Sequence, residues 1–308
     1  MSVELNKASR GVDAAPIVNV AMVPQRSLFR YPGGKTWLIP YIRQWLKSLP
    51  SPVVELIEPF AGGAIVGLTA AFEGLAEKVT LVERDPDVAA VWEAIIENGQ
   101  GPWLADRITG FEMTLENVRA VLDRPAKAVR ERAFQTILRN RVQRGGIMAA
   151  GAGLMKLGEN GRGLASRWYP ETLRKRMLAI HQIRKRITFC PGDGMEVIER
   201  NLYRQNVAFF IDPPYTVAGR RLYTFSEIDH ERLFRMASKS CGDFLITYDD
   251  AAETRLLAER FGFETRLIAM KNTHHTKLVE LLIGRKLAWV LQRHTAQSLS
   301  FQFSLEIA

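Results

Sequence analysis

Asp212, Pro213, Pro214 and Tyr215 follow directly on an apolar run, Val207 to Ile211. The run reads as a fully buried parallel strand. Neither proline can donate to a sheet ladder, so the strand stops there and the chain leaves as a stiff, extended loop. Asp212 therefore stands at the carboxyl end of a central strand, where open α/β sheets bind ligands. A carboxylate in that place can accept hydrogen bonds from a ligand and offset positive charge on it. Asp-Pro is also common turn chemistry, and a capping aspartate at an ordinary strand exit fits the same residues. The other strand ends decide between the two.

Gly33-Gly34-Lys35 precedes a helical pattern through Trp37, Ile39, Tyr41, Ile42 and Trp45. Paired glycines before a helix let the backbone approach a ligand closely, with N–H groups and a lysine facing an anion. The spacing of a phosphate-binding P-loop is absent. Next, Val53 to Ile57 reads as a strand, followed by Glu58-Pro59-Phe60-Ala61-Gly62-Gly63-Ala64 and a helix to about Phe72. Strand, glycine turn and helix form the first unit of a doubly wound nucleotide-binding fold, here without the dinucleotide fingerprint. Val79 to Val82 is a second strand ending at Glu83, which is placed to accept hydrogen bonds from ribose hydroxyls. Asp85-Pro86 has the look of a helix N-cap followed by proline at the first helical position. A third strand, Ile187 to Cys190, ends in Gly192-Asp193-Gly194, where Asp193 can hold an exocyclic amine. Together these groups match an adenosine-containing ligand without phosphates better than a dinucleotide.

The elements that carry these groups are interrupted once. From about 101 to 186 the strand–helix alternation is suspended. Helical patterns cover roughly 115–122 and 127–142, and a Gly-rich loop runs from Arg144-Gly145-Gly146 to Gly163. Arg167-Trp168-Tyr169-Pro170 then leads into a basic helix over 171–186. Alternation resumes through the strand before Asp212, a helix capped by Asp229 and a strand over Phe244–Tyr248. A helix over 251–261 follows, and then two strands near 265–270 and 278–283, whose short link predicts an antiparallel hairpin. The expected layout is one discontinuous catalytic domain, 28–100 and 187–285, a 101–186 insertion, and terminal extensions 1–27 and 286–308.

At 308 residues and 47% apolar, the chain can bury a large core. It has no apolar run long enough for a membrane span and no secretory signal pattern, so a cytoplasmic protein is expected. Two cysteines, Cys190 and Cys241, are too few for a disulfide framework or a zinc cluster, and no metal site is expected. The formal charge of +9 is concentrated: residues 101–186 hold 18 lysines and arginines against 7 acidic residues, while the remainder holds 24 against 26. A basic segment of that kind suits a polyanionic partner. Arg139, Arg141, Arg144, Lys156, Arg162 and Arg167, interleaved with glycines, are the candidate phosphate contacts. A solvated basic face is the plainer alternative.

The ordered set Arg30 to Lys35, Glu58 to Ala64, Leu81 to Asp85, Gly192 to Gly194 and Asp212 to Tyr215 resembles the Dam-type (D12 class) S-adenosylmethionine-dependent adenine-N6 DNA methyltransferases. The resemblance covers about residues 28–285, including Tyr223 to Leu233, Phe244 to Asp250 and Lys277 to Gly284. It implies a Rossmann-like seven-stranded sheet with its last strand antiparallel and a helical target-recognition insertion. It also implies cofactor contacts from Tyr31, Gly33, Gly34 and Lys35, pocket walls at Phe60 and Gly62, a ribose contact at Glu83 and an adenine contact at Asp193. Asp212, Pro213, Pro214 and Tyr215 would form the catalytic motif, with Asp212 also at the cofactor.

In that chemistry the adenine amino nitrogen is a poor nucleophile, because its lone pair is delocalised into the ring. Asp212 and the Pro213 carbonyl would accept both amino hydrogens and free the lone pair for in-line attack on the methyl group. Asp212 would also stabilise the developing positive charge. Tyr215 would stack on a flipped base. The implied partners are duplex DNA and, in a restriction-modification setting, a cognate endonuclease. Residues 138–168 lack the asparagine- and tyrosine-rich signature of GATC-modifying members, so no target sequence is assigned. Cytosine-N4 methylation uses the same geometry, but its motif usually begins with serine. A catalytically inactive DNA-binding module on the same fold is the alternative from another class.

Overall fold

The computed structural model describes residues 20–30, 33–148, 153–155, 158, 161–214, 228–271 and 277–290. Seven strands, β1 (Glu55–Glu58), β2 (Lys78–Glu83), β3 (Ile187–Pro191), β4 (Val207–Ile211), β5 (Asp243–Asp249), β6 (Glu264–Lys271) and β7 (Lys277–Gly284), form one sheet. Their order is β3-β2-β1-β4-β5-β7-β6. The first five pair in parallel, and β7 runs antiparallel between β5 and β6. All five residues of β4 are buried, as a central strand covered on both faces requires. The strand order reverses between β1 and β4, so Glu58 and Asp212 flank the crevice where such sheets take their ligands.

Helices cover both faces. On one lie α1 (Ile39–Ser48), α2 (Ile65–Glu73) and α3 (Pro86–Trp92), the last continued by a π-helical turn over Glu93–Glu97. Asp85 caps α3 by accepting from the Asp87 and Val88 backbone N–H groups, with Pro86 at the first position. The 101–186 segment contributes α4 (Gly101–Thr109), α5 (Leu115–Leu122), α6 (Val129–Val142) and α7 (Pro170–Ile183). The α4 helix is missing from the sequence expectation; its Pro102 occupies a first-turn position, where no backbone donor is needed. On the other face lie α8 (Gly194–Asn201), α9 (His230–Lys239) and α10 (Ala252–Arg260). Among the described residues no helix is long and apolar enough to cross a membrane.

The sheet separates two apolar cores. Phe209, Ile211, Phe234, Phe244 and Tyr248 belong to the smaller one, under α8, α9 and α10. In the larger, Leu56, Leu81 and Trp92 share one continuous cluster with Phe134, Ile137, Leu138, Leu173 and Met177 from the 101–186 segment. That segment is also tied to the chain just before the glycine loop. Asn140 accepts from the Arg30 N–H at 2.9 Å and donates to the Arg30 carbonyl at 3.1 Å. Its amide also donates to the Gly146 carbonyl at 2.9 Å. Gly146 has φ 73°, and a Cβ there would lie 2.4 Å from the Arg30 carbonyl oxygen, so only glycine fits. Arg141 and Arg176 donate to the carbonyls of Leu28 and Ser27.

Candidate active site

The carboxyl ends of four parallel strands supply the site. β1 ends in Glu58 and β2 in Glu83, β3 is followed by Asp193, and β4 by Asp212. The register that sets Ile211 beside Ile246 makes Asp212 and Thr247 the next neighbours. Thr247 donates its hydroxyl to Asp212 Oδ1 at 2.7 Å. Lys35 Nζ stands 3.1 Å from the same oxygen. Asp212 is only partly covered and Pro213 is buried, so the carboxylate is fixed from the protein side at a point open to the crevice.

Lys35 enters on a 3-10 turn, Lys35–Leu38, directly after Gly33 and Gly34. Its side chain is buried, with Nζ 2.8 Å from Glu280 Oε1 and 2.9 Å from the Gly33 carbonyl. The sequence suggested a lysine facing a bound anion. The anions it faces are instead Asp212 and Glu280 of the chain itself, because a buried ammonium is stable only when paired. Burial opposes its charge, but the fields and hydrogen bonds of the two carboxylates outweigh that and hold its pKa above the ordinary lysine value. Glu280 comes from the middle of β7, where it pairs with Asp249 across the sheet and therefore shares a face with Thr247.

Glu83 Oε2 accepts from the Gly62 N–H and Oε1 from the Asp85 N–H, both at 2.8 Å. Trp92 donates its indole N–H to the Gly62 carbonyl at 2.9 Å, fixing the glycine turn from below. Burial pushes the Glu83 carboxyl up to about 7, against the pull of those backbone donors. Glu58 lies deeper, 3% exposed, and accepts from the Gly67 N–H at 2.7 Å. Its carboxyl is pushed well above the usual range by burial, and the nearby charges of Asp212 and Glu83 add to that. Phe60 is partly covered and packs on the smaller core. Asp193 caps α8, with Oδ1 accepting from the Met195 N–H at 2.8 Å and Oδ2 3.8 Å from Arg84 Nη1. The sequence expectation gave that aspartate to a ligand amine; in the fold its Oδ1 caps α8, a role the sequence reading did not give it.

Tyr31, Tyr215 and Lys156 lie outside the described residues. Among the expected phosphate contacts, Arg144 and Arg162 are exposed and Arg167 is partly so. Two others are differently employed. Arg141 is 4% exposed and donates to the Leu28 carbonyl, so it holds the chain together beneath the surface and is withdrawn from the set a phosphate backbone can reach. Arg139 forms an ion pair with Asp87 at 2.6 Å, which ties α6 to the start of α3. Spacing alone could not distinguish these from surface arginines, because a helix buries one face whatever charge the face carries.

Thr247, Glu280, Glu58 and Trp92 were not read from the sequence as site residues. Glu280 did leave a signal: a carboxylate inside the apolar strand Leu278 to Ile283 requires a buried cation.

Residues 31–138 match the family model of the D12 class N6 adenine-specific DNA methyltransferases. No curated protein matched the chain. Solved structures similar to this chain include precorrin-6Y C5,15-methyltransferase from Geobacter metallireducens, at 10% identity, covering 80% of this chain and 87% of that one, with a TM-score of 0.36. An S-adenosylmethionine-dependent methyltransferase from Agrobacterium tumefaciens is 10% identical, with 81% and 61% covered and a TM-score of 0.38. The rRNA methyltransferase aviRa from Streptomyces viridochromogenes is 14% identical, with 89% and 95% covered and a TM-score of 0.39.

Proposed function

We propose that this protein transfers a methyl group from S-adenosylmethionine to the N6 amino group of adenine in duplex DNA. The observation that carries the reading is the fixed carboxylate of Asp212 at the end of β4, hydrogen-bonded by Thr247 and followed by Pro213-Pro214. The chain's own groups fit the donor. The Lys35, Asp212 and Glu280 cluster has one more anion than cations, which suits a sulfonium ligand. Glu83 is anchored through both oxygens with its second lone pairs unspent on those bonds, and suits ribose hydroxyls.

Bound S-adenosylmethionine supplies an electrophilic methyl carbon. Asp212 and the Pro213 carbonyl accept the two amino hydrogens of the target base, localising the nitrogen lone pair. Asp212 then stabilises the positive charge that grows on that nitrogen, an interaction strongest in the transition state. Holding two reactants in line is itself a large part of such a bimolecular reaction. Tyr215, next in sequence, is assigned to stacking on the extruded base, and Arg144, Arg162 and Arg167 to the DNA backbone.

The test is transfer of label from S-adenosylmethionine to unmethylated duplex DNA, followed by nucleoside analysis. Label on N6-methyladenine, nearly abolished by Asp212→Ala, supports the reading. Label on cytosine, on RNA alone, or undiminished in the variant overturns it.

A further inference from the structure

Lys35 presents a difficulty that Glu280 resolves. An ammonium 3.1 Å from Asp212 would, as a simple pair, cancel the charge on which the proposed transfer depends. The pair is not simple. Glu280 is 2% exposed, and its Oε1 is closer to Lys35 than Asp212 is, at 2.8 Å. The Gly33 carbonyl also stands 2.9 Å from the same ammonium. Two carboxylates therefore share this ammonium, and among these three side chains the anions outnumber the cation by one.

Position supports the same division of labour. Glu280 comes from β7, two strands from β4, and its side chain is 3% exposed, whereas Asp212 is 23% exposed at its side chain. One carboxylate is thus sealed in and the other open toward a ligand. In surroundings of low polarizability, the charge state of the sealed partner reaches the open one with little screening.

We propose that Glu280 is a positioning residue that holds the Lys35 ammonium away from full pairing with Asp212, so that the site keeps a net negative charge for a sulfonium ligand and for the amine that gains charge during transfer. This rests on the reading of the site as an S-adenosylmethionine-dependent methyltransferase. Lys35 orders the glycine loop and Asp212 at once, and Glu280 prevents that ordering from neutralising the site.

The test compares binding of S-adenosylmethionine, which carries the sulfonium charge, with S-adenosylhomocysteine, which does not, by calorimetry on the full chain. Glu280→Gln is expected to weaken S-adenosylmethionine by about tenfold more than S-adenosylhomocysteine, the equivalent of one unit of log affinity. The double variant Lys35→Met/Glu280→Gln, which removes cation and buried anion together, is expected to restore most of that preference. Circular dichroism and the melting midpoint establish that both variants fold. If Glu280→Gln weakens both ligands equally, or the double variant shows no recovery, Glu280 serves packing only and the proposal fails while the methyltransferase reading stands. Should the unaltered protein bind neither ligand, the methyltransferase reading fails first and takes this proposal with it.

Discussion

Thr247 Oγ1 and Asp212 Oδ1 lie 2.7 Å apart across the parallel pair β4–β5. The bond ties the orientation of the Asp212 carboxylate to the sheet, because Thr247 is fully buried and sits on regular strand backbone. A hydrogen bond to a charged group contributes about 1.5–3 kcal/mol. Thr247→Val keeps the shape and removes the donor, so the rate of methyl transfer should fall at least tenfold or so. Thr247→Ser should retain most activity. Single-turnover rates on the two variants check this, and equal losses in both would assign Thr247 to packing alone.

Glu83 links the site to pH. Its carboxyl is raised from 4.5 to about 7 by burial, so the folded state holds the proton more tightly than the unfolded chain. The stability this provides is fully present below 4.5 and is lost as pH rises through about 7. Ribose hydroxyls donate best to the ionised form. Affinity for S-adenosylmethionine should therefore strengthen as pH rises from 6 to 8, by up to about tenfold if only the carboxylate binds. Glu83→Gln should weaken binding and flatten both dependences, measured by titration and thermal melts across the same range.

Glu58 and Gly67 form a contact with no slack. A Cβ on Gly67 would lie 2.5 Å from Leu81 Cδ2 and 2.6 Å from Glu58 Oε2. Gly67→Ala should cost about 1–3 kcal/mol by overpacking. Glu58→Gln should behave in the opposite sense. The buried carboxyl is raised well above its unfolded value, so its contribution is present at low pH and lost as pH rises. An amide of the same shape has no proton to lose, and the variant should gain stability over the parent progressively toward alkaline pH. Denaturant melts at several pH values test both substitutions.

Salt dependence separates the arginines by employment. Arg144→Gln and Arg162→Gln, at exposed positions, should each reduce the slope of log affinity against log salt by about one. Arg139→Gln should leave that slope alone and lower the melting temperature, because it breaks the 2.6 Å pair with Asp87. A slope change with Arg139→Gln and none with Arg144→Gln would reverse the assignment of the two side chains.

The strands were legible to within two residues because apolar runs ending in Glu83, Asp212 or a hairpin link leave little freedom in where a buried strand can lie. The antiparallel β6–β7 pair was legible from its short link. Side-chain employment was not. Asp85 is marked as a cap by Pro86, whereas Asp193 stands between two glycines and nothing in the sequence marks it as the cap of α8. Arg139 and Arg141 are two residues apart, and their helix turns one to Asp87 and the other to the Leu28 carbonyl. Glu280 lies 245 positions from the lysine it holds, a pairing that only the placement of β7 beside β5 creates.

The amide of Asn140 fills both backbone groups of Arg30 as a neighbouring strand would, 110 positions away in sequence. On the proposed function, target specificity in this chain is not a cassette. Exchanging residues 101–186 for a foreign stretch of similar length would bring a new surface but strip Ser27, Leu28 and Arg30 of the groups that anchor them. Chimeras would have to carry residues 26–30 along with the helices, and breeding a new target preference would proceed more readily by substitution on the exposed arginine face than by transplantation.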